Sequence, residues 1–211
     1  MLAVILETKS FIMKKQITFL IFFVSLLSNA QSAKKMLAEI EGKWKIDDNG
    51  NVTFVKILEV PEISKNEIFM RAGNYFIYNY GSGNSVIETK DKDQGLIIGK
   101  GVYKNIHTGF SILQTYVSTW HVVRIDIQEG RARIIISLTS YDKLTMDGNV
   151  IFSQSSASVS ENYPINEKGS QKTIMTKAFY KSYQAVQNSL ISIEKAIREG
   201  NTSSNLESQK W

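Results

Sequence analysis

The segment "VVRIDIQEGRARIIIS", residues 122–137, constrains the fold more than any other part of the chain. Apolar and polar residues alternate on both sides of Glu129 and Gly130, the pattern of two half-buried strands joined by a tight turn in which glycine supplies the positive φ. A two-residue loop pairs Gln128 with Arg131, Ile127 with Ala132, Asp126 with Arg133, Ile125 with Ile134 and Val123 with Ile136. One face then collects Val123, Ile125, Ile127, Ala132, Ile134 and Ile136, while Asp126 meets Arg133 as an opposite-charge pair on the other. A slip of one residue would turn the apolar set outward, so both features select the same register. The hairpin reads as running from Ile112 to Asp142, and its single apolar face needs a covering layer.

The flanking segments supply that layer. "NVTFVKILEVP", Asn51 to Pro61, reads as a strand closed by a proline. Ser64 and Glu67 follow at capping-box spacing, with Ile63 and Ile68 placed as a hydrophobic staple, and open a helix that carries Ala72, Tyr75 and Phe76 toward a stop at Gly81 and Gly83. "SVIETKDKDQG" gives a short strand and a polar turn, and "QGLIIGKGVYK", Gln94 to Lys104, a strand with Leu96 and Ile98 on one face and Ile97 on the other. Ile174, Ala178, Val186, Leu190, Ile193 and Ile197 form one stripe of a long C-terminal helix closed by Gly200. Between hairpin and helix, residues 143–169 are rich in Ser, Asn, Asp and Gly and read as a flexible loop or a weak edge strand. Strand, helix, antiparallel strands and a closing helix make an α+β domain, with helices on one face of a curved antiparallel sheet.

The domain is expected over residues 50–200, after a polar lead-in at 31–49 and before a disordered tail at 201–211. Residues 1–30 read as a secretory signal peptide: Lys14 and Lys15 form a basic start, Ile17 to Leu27 an apolar run of eleven residues, and Ser28, Asn29 and Ala30 a small-residue exit with cleavage after Ala30. That run is shorter than the roughly 20 apolar residues a membrane span needs. Met13 suits the start of such a signal better than Met1, which makes residues 1–12 a mis-assigned start. The expected location is the periplasm or the exterior, with no stable membrane span after cleavage.

Removing residues 1–30 takes away Lys9, Lys14, Lys15 and Glu7, so the formal charge of +5 becomes +3. So slight an excess does not call for nucleic acid, which is met by dense basic stripes. A chain with 0 cysteines has no disulfide, thiol nucleophile, thiolate metal site or lipid-modified cysteine.

The glycines of "QGLIIGKGVYK" fit no phosphate or nucleic-acid loop. A Walker loop needs four residues between its glycines and a Ser or Thr after the lysine, whereas Gly95 and Gly99 are separated by three and Gly101 follows Lys100. The glycine loop of KH domains needs two intervening residues, and Gly99 and Gly101 have one. A glycine inside a strand marks a bulge or a close approach of another element. Ser82, Ser85 and the serines of "SQSSASVS" lack a nucleophile elbow. His107 and His121 have no carboxylates at ligand spacing, so neither a metal, a cofactor nor a catalytic residue is assigned. The candidate ligand-binding residues are Arg124, Arg131 and Arg133, an anion-binding face whose bland alternative is ion pairing with Asp126, together with His121, whose parity with Val123 also suits a core histidine.

Val60-Pro61 and Ser64 before the helix, Asp91 to Gly95, the Ile97 to Gly101 strand and the Ile127 to Arg133 hairpin together resemble a bacterial family. It is the exported domain of unknown function with a fold like the TATA-box-binding protein (TBP-like). The resemblance spans about residues 50–142 and implies a TBP-like fold and export from Gram-negative bacteria. The activity of that family being unknown, it implies no catalytic residues, and a fold shared with a DNA-binding protein does not imply DNA binding. The resulting expectation is a non-enzymatic binding module of the envelope with an unknown protein partner. A small-ligand-binding protein or an unrecognised enzyme using the sheet face is the alternative, and nucleic-acid binding comes last.

Overall fold

The computed structural model describes residues 33–80, 86–110 and 112–200. The signal peptide, the glycine stop at Gly81 and Gly83, Ser82, Ser85 and the 201–211 tail lie outside the described residues. The chain divides into two units, Met1–Glu39 and Ile40–Trp211. The first contributes most of helix α1, Ala33–Ile40. Its sequence "AKKMLAEI" consists almost wholly of strong helix formers, so the 31–49 segment is not simply a polar lead-in.

The second unit is built on a seven-stranded antiparallel sheet. Its strands are β1 (Lys45–Ile46), β2 (Val52–Glu59), β3 (Ile87–Asp91), β4 (Leu96–Phe110), β5 (Gln114–Gln128), β6 (Arg131–Asp147) and β7 (Val150–Ser158). They lie in the order β1-β2-β6-β5-β4-β3, and β7 also pairs with β6, in a curved sheet that does not close. Helix α2, Lys65–Tyr80, follows β2, and helix α3, Lys172–Glu199, ends the unit.

The central hairpin holds the register its sequence dictates, from Gln128 opposite Arg131 through Asp126 opposite Arg133 to Val123 opposite Ile136. Gly130 turns at φ +66. All six residues of the apolar face are buried. At about 25 cal/mol per Å² of apolar surface, each large side chain buried there stabilises the fold by roughly 1.5–3 kcal/mol.

Ser64 Oγ accepts from the Glu67 N–H at 3.3 Å, as a cap should. The return half of a capping box is absent, because the Glu67 carboxylate takes the Arg71 guanidinium at 2.7 Å. A second first-turn amide, that of Lys65, donates instead to Glu129 on the hairpin turn at 3.1 Å. Arg71 also donates to the carbonyls of Ile197 and Arg198, both at 2.8 Å, so α2 satisfies orphan acceptors at the end of α3.

Both helices cover the same face of the sheet. Phe76 of α2 fills the space over Gly99, Ile174 of α3 that over Gly109, and Ser182 of α3 bonds Thr119 at 2.8 Å. Along β5 the odd-numbered residues from Thr115 to Ile127 are buried against this layer and the even-numbered ones face away from it.

Of the two readings of the 143–169 segment, a flexible loop or a weak edge strand, the structure holds the strand over part of it. β6 continues to Asp147, turns at Gly148 and pairs with β7 from Ser140 opposite Ser158 to Asp147 opposite Val150. A 3-10 turn, Val159–Glu161, capped by Ser158, follows. The strand is held by backbone pairing while its side chains stay exposed, Val150 at 69% and Phe152 at 70%, so no burial alternation marks it in the sequence.

Candidate functional site

Alternation along the strands sorts the candidate residues between two faces. Arg124, Arg131 and Arg133 point to the uncovered face, together with Asp126 and Gln128. His121 shares the parity of Val123 and points into the helix-covered core. The four residues therefore do not form one site, and no single ligand atom can meet both His121 and the arginines.

On the uncovered face Asp126 is clamped. Arg124 Nε donates to Oδ1 at 2.8 Å, and Arg133 donates to Oδ2 through Nε at 2.8 Å and a terminal nitrogen at 2.7 Å. Partial burial raises the Asp126 pKa, but the hydrogen bonds and charges of Arg124 and Arg133 outweigh it and hold the carboxyl below its ordinary value. Arg131 donates from Nε to the Gln128 side-chain oxygen at 2.8 Å. Asp126, Gln128, Arg131 and Arg133, with Ile57 and Ala132, line a cleft of about 260 Å³. Such a volume lies just under the 300–1,000 Å³ of most small-molecule sites, and one of the two arginines lining it, Arg133, is already paired with Asp126.

Further along the same face stands a group that sequence reasoning missed. Lys100 Nζ sits 5.1 Å from the Trp120 ring centroid, and Trp120 Nε1 donates to Asp142 Oδ2 at 2.6 Å. The bond fixes the indole, and the lysine lies against its π-face. Its only sequence signal is Trp120 standing on the opposite parity from His121; the rest depends on how β4, β5 and β6 are registered. Between the two polar clusters lie the half-buried Ile98, Val122 and Ile135, and at the β2 side Val55 and Ile57 are 55% and 65% exposed. An exposed apolar surface rimmed by charges characterises docking sites.

On the covered face His121 is 0% exposed and stacks on Tyr103 with ring centroids 4.0 Å apart and planes 13° apart. Burial lowers its pKa to about 4, against a smaller opposing effect of a backbone hydrogen bond with Thr119, so the imidazole is neutral at pH 7. His107 is buried under α3 and also lowered to about 4, first by burial and then by the charges of Lys181 and Lys177. Burial raises Tyr103 and Tyr141 above the ordinary tyrosine range. These are core groups with core environments. Among the described residues no three His, Asp or Glu side chains converge as a metal-ligand set.

Residues 54–142 match the family described as a domain of unknown function (DUF4468) with a TBP-like fold. Those residues belong to that family. The matched span runs from Phe54 in β2 through α2, β3 and β4 to Asp142 in the hairpin, and so includes all four candidate residues. Among solved structures, a TBP-like protein from Parabacteroides distasonis superposes with a TM-score of 0.55 at 17% identity, over 73% of this chain and 96% of that one. A DUF4468 family protein from Bacteroides ovatus superposes with a TM-score of 0.52 at 14% identity, over 78% of this chain and 94% of that one. At those identities the likeness is one of fold. No curated protein matches the chain.

Proposed function

We propose that this protein is exported to the periplasm or the cell exterior and acts there as a non-enzymatic binding module, its uncovered sheet face docked on another envelope protein. The observation that carries this reading is the asymmetry of the sheet. α2 and α3 bury one face, while the other combines exposed Val55 and Ile57 with the Arg124–Asp126–Arg133 and Lys100–Trp120–Asp142 clusters. A DUF4468 domain folded this way presents Trp120 and three arginines on rigid strands, residue types enriched among interface hot spots, beside exposed aliphatic side chains. The residue pattern at 13–30 supports export. Nucleic acid is the poorer fit, since Asp126 and Asp142 place carboxylates in the middle of the face that would have to meet phosphates.

The test is a photocrosslinking map in the native envelope. A photoreactive residue at Lys100 or Arg133 should capture a partner, and one at Ile191, which is 60% exposed on α3, should not. Capture from Ile191 alone would move the interface to the helix.

A further inference from the structure

Among the described residues, most of the outer edge of β2 has no partner strand, because its neighbour β1 is only two residues long. β1 pairs with it only through Lys45 opposite Thr53 and Ile46 opposite Val52. The Asp47 N–H donates to the Asn51 carbonyl at 3.0 Å, which sets the phase of the ladder. By the two-residue period, Thr53, Val55, Ile57 and Glu59 direct their N–H and C=O groups to this outer side, and β1 reaches only the first of them. Beyond Lys45 the chain peels away through Gly42–Trp44, and the Trp44 ring tucks edge-on against Phe179 of α3 at 5.5 Å. A fissure of about 530 Å³ opens where it departs, between Lys43–Lys45 on one side, Thr53–Lys56 on the other, and Tyr183 of α3 beneath.

Natural edge strands are blunted by proline, bulges or outward charges, or are covered. The bare stretch of β2 pairs with β6 without a bulge and contains no proline, and its two outward-facing apolar side chains, Val55 and Ile57, are exposed. Its one lysine, Lys56, is on the helix side and is paired with Glu194. Lys43 and Lys45, at the mouth of the fissure, form no ion pair among the described residues. Lys43 instead lies 5.9 Å from the Tyr183 ring centroid.

We propose that this edge takes up an extended acidic segment of a partner protein, which adds a strand alongside Val55–Glu59 and sets carboxylates against Lys43 and Lys45. Main-chain hydrogen bonds to the outward groups of Val55 and Ile57 would hold the segment, as in other strand-addition complexes. Alternation then assigns its side chains: apolar residues beside Val55 and Ile57 on the open face, acidic ones on the fissure side toward Lys43, and a carboxylate at the end of the segment for Lys45, which stands opposite Thr53 on the open face. A second copy of this chain, paired antiparallel about Ile57, would offer Lys43 and Lys45 the Glu59 end of its β2 and no run of carboxylates, and is the poorer occupant. The inference concerns the edge of the sheet and stands whether or not the open face binds.

The probe is a fluorescein-labelled nonapeptide of alternating Glu and Val, titrated into the purified full chain by fluorescence anisotropy, with an alternating Lys and Val peptide as control. Saturable binding of the acidic peptide alone is expected, with Val55 and Ile57 amide exchange slowed at saturation. Joint Lys43→Glu and Lys45→Glu substitution should weaken binding at least tenfold. Val55→Pro should do the same, since it removes an outward donor and leaves the β6 ladder intact. The charge-reversal pair carries the test alone if the proline variant does not fold. Equal binding of the basic peptide, an affinity unchanged by charge reversal, or unaltered exchange at Val55 and Ile57 would each overturn the proposal. So would a dimer in sedimentation that Val55→Pro dissolves, which would make a second copy the occupant.

Discussion

Replacing Gly99 by alanine tests how α2 meets the sheet, because two effects of opposite sign are separated by one contact. In an unobstructed strand the change would stabilise by about 0.4–1 kcal/mol, through the lower entropy of the unfolded chain. Here an added Cβ would stand 2.4 Å from Phe76 Cε1 and 2.9 Å from Cδ1. Carbon atoms prefer roughly 3.5–4.0 Å, so the ring must retreat by about 1 Å. It has nowhere to go: Phe76 is 0% exposed and packs edge-on against Tyr75 at 5.6 Å. Overpacking of this kind costs about 1–3 kcal/mol, which outweighs the entropic gain and leaves a net loss of roughly 1–2 kcal/mol. For a domain of this size that is a fall in Tm of about 2–8 °C. Thermal unfolding followed by circular dichroism reads it directly. Phe76→Leu in the same chain should return part of the loss, a coupling of about 1 kcal/mol or more in the double-mutant cycle. A Gly99→Ala protein as stable as the parent, or strictly additive behaviour with Phe76→Leu, would refute the packing argument.

Three further outcomes follow from the charges and caps. The Asp126 pKa is depressed in the folded state, so its contribution is present above the unfolded value near 4 and is lost as pH falls through the folded one. Asp126→Asn should therefore lower the urea-derived stability by about 1 kcal/mol or less at pH 7, a difference that shrinks as the pH falls and Asp126 is protonated in the folded state; a gap that does not shrink in acid contradicts the ion-pair assignment. His121 is depressed to about 4, so the folded state binds fewer protons than the unfolded one between there and about 6.5, and lowering the pH across that window destabilises the protein. Its share of the slope is up to about 1.4 kcal/mol per pH unit, and His121→Phe should remove that share while His107 retains its own; parallel profiles for the two proteins would count against it. Arg71→Met should expose the end of α3, with hydrogen exchange in its last turn quickening severalfold while the β5–β6 amides are unchanged; equal protection in both proteins would show that the Ile197 and Arg198 carbonyls do not need the guanidinium.

What could be read from the sequence depended on how many independent signals marked each element. The hairpin register was overdetermined by its apolar face and the Asp126–Arg133 pair, and the α3 stripe by its spacing, with Ile174, Ala178, Val186, Leu190, Ile193 and Ile197 all buried. β7 carried no such signal, because its pairing with β6 uses backbone groups and leaves Val150, Ile151 and Phe152 exposed. The capping box at Ser64 was half legible: the hydroxyl caps, but Arg71 competes for Glu67. His121 and Arg124 lie three residues apart in one strand, and that odd spacing alone places them on opposite faces. The Lys100–Trp120–Asp142 group was not legible, since it spans three strands whose pairing shifts at bulges between Tyr103 and His107 and between Trp120 and His121.

Docking on the face opposite α2 and α3 is the proposal that most needs a direct test. It is tested most directly by measuring the affinity of the envelope partner captured by crosslinking for Lys100→Glu and Ile191→Asp proteins side by side. Lys100→Glu should lose at least tenfold in affinity, and Ile191→Asp should change within twofold. A loss confined to Ile191→Asp would place the partner on α3 and contradict the proposal.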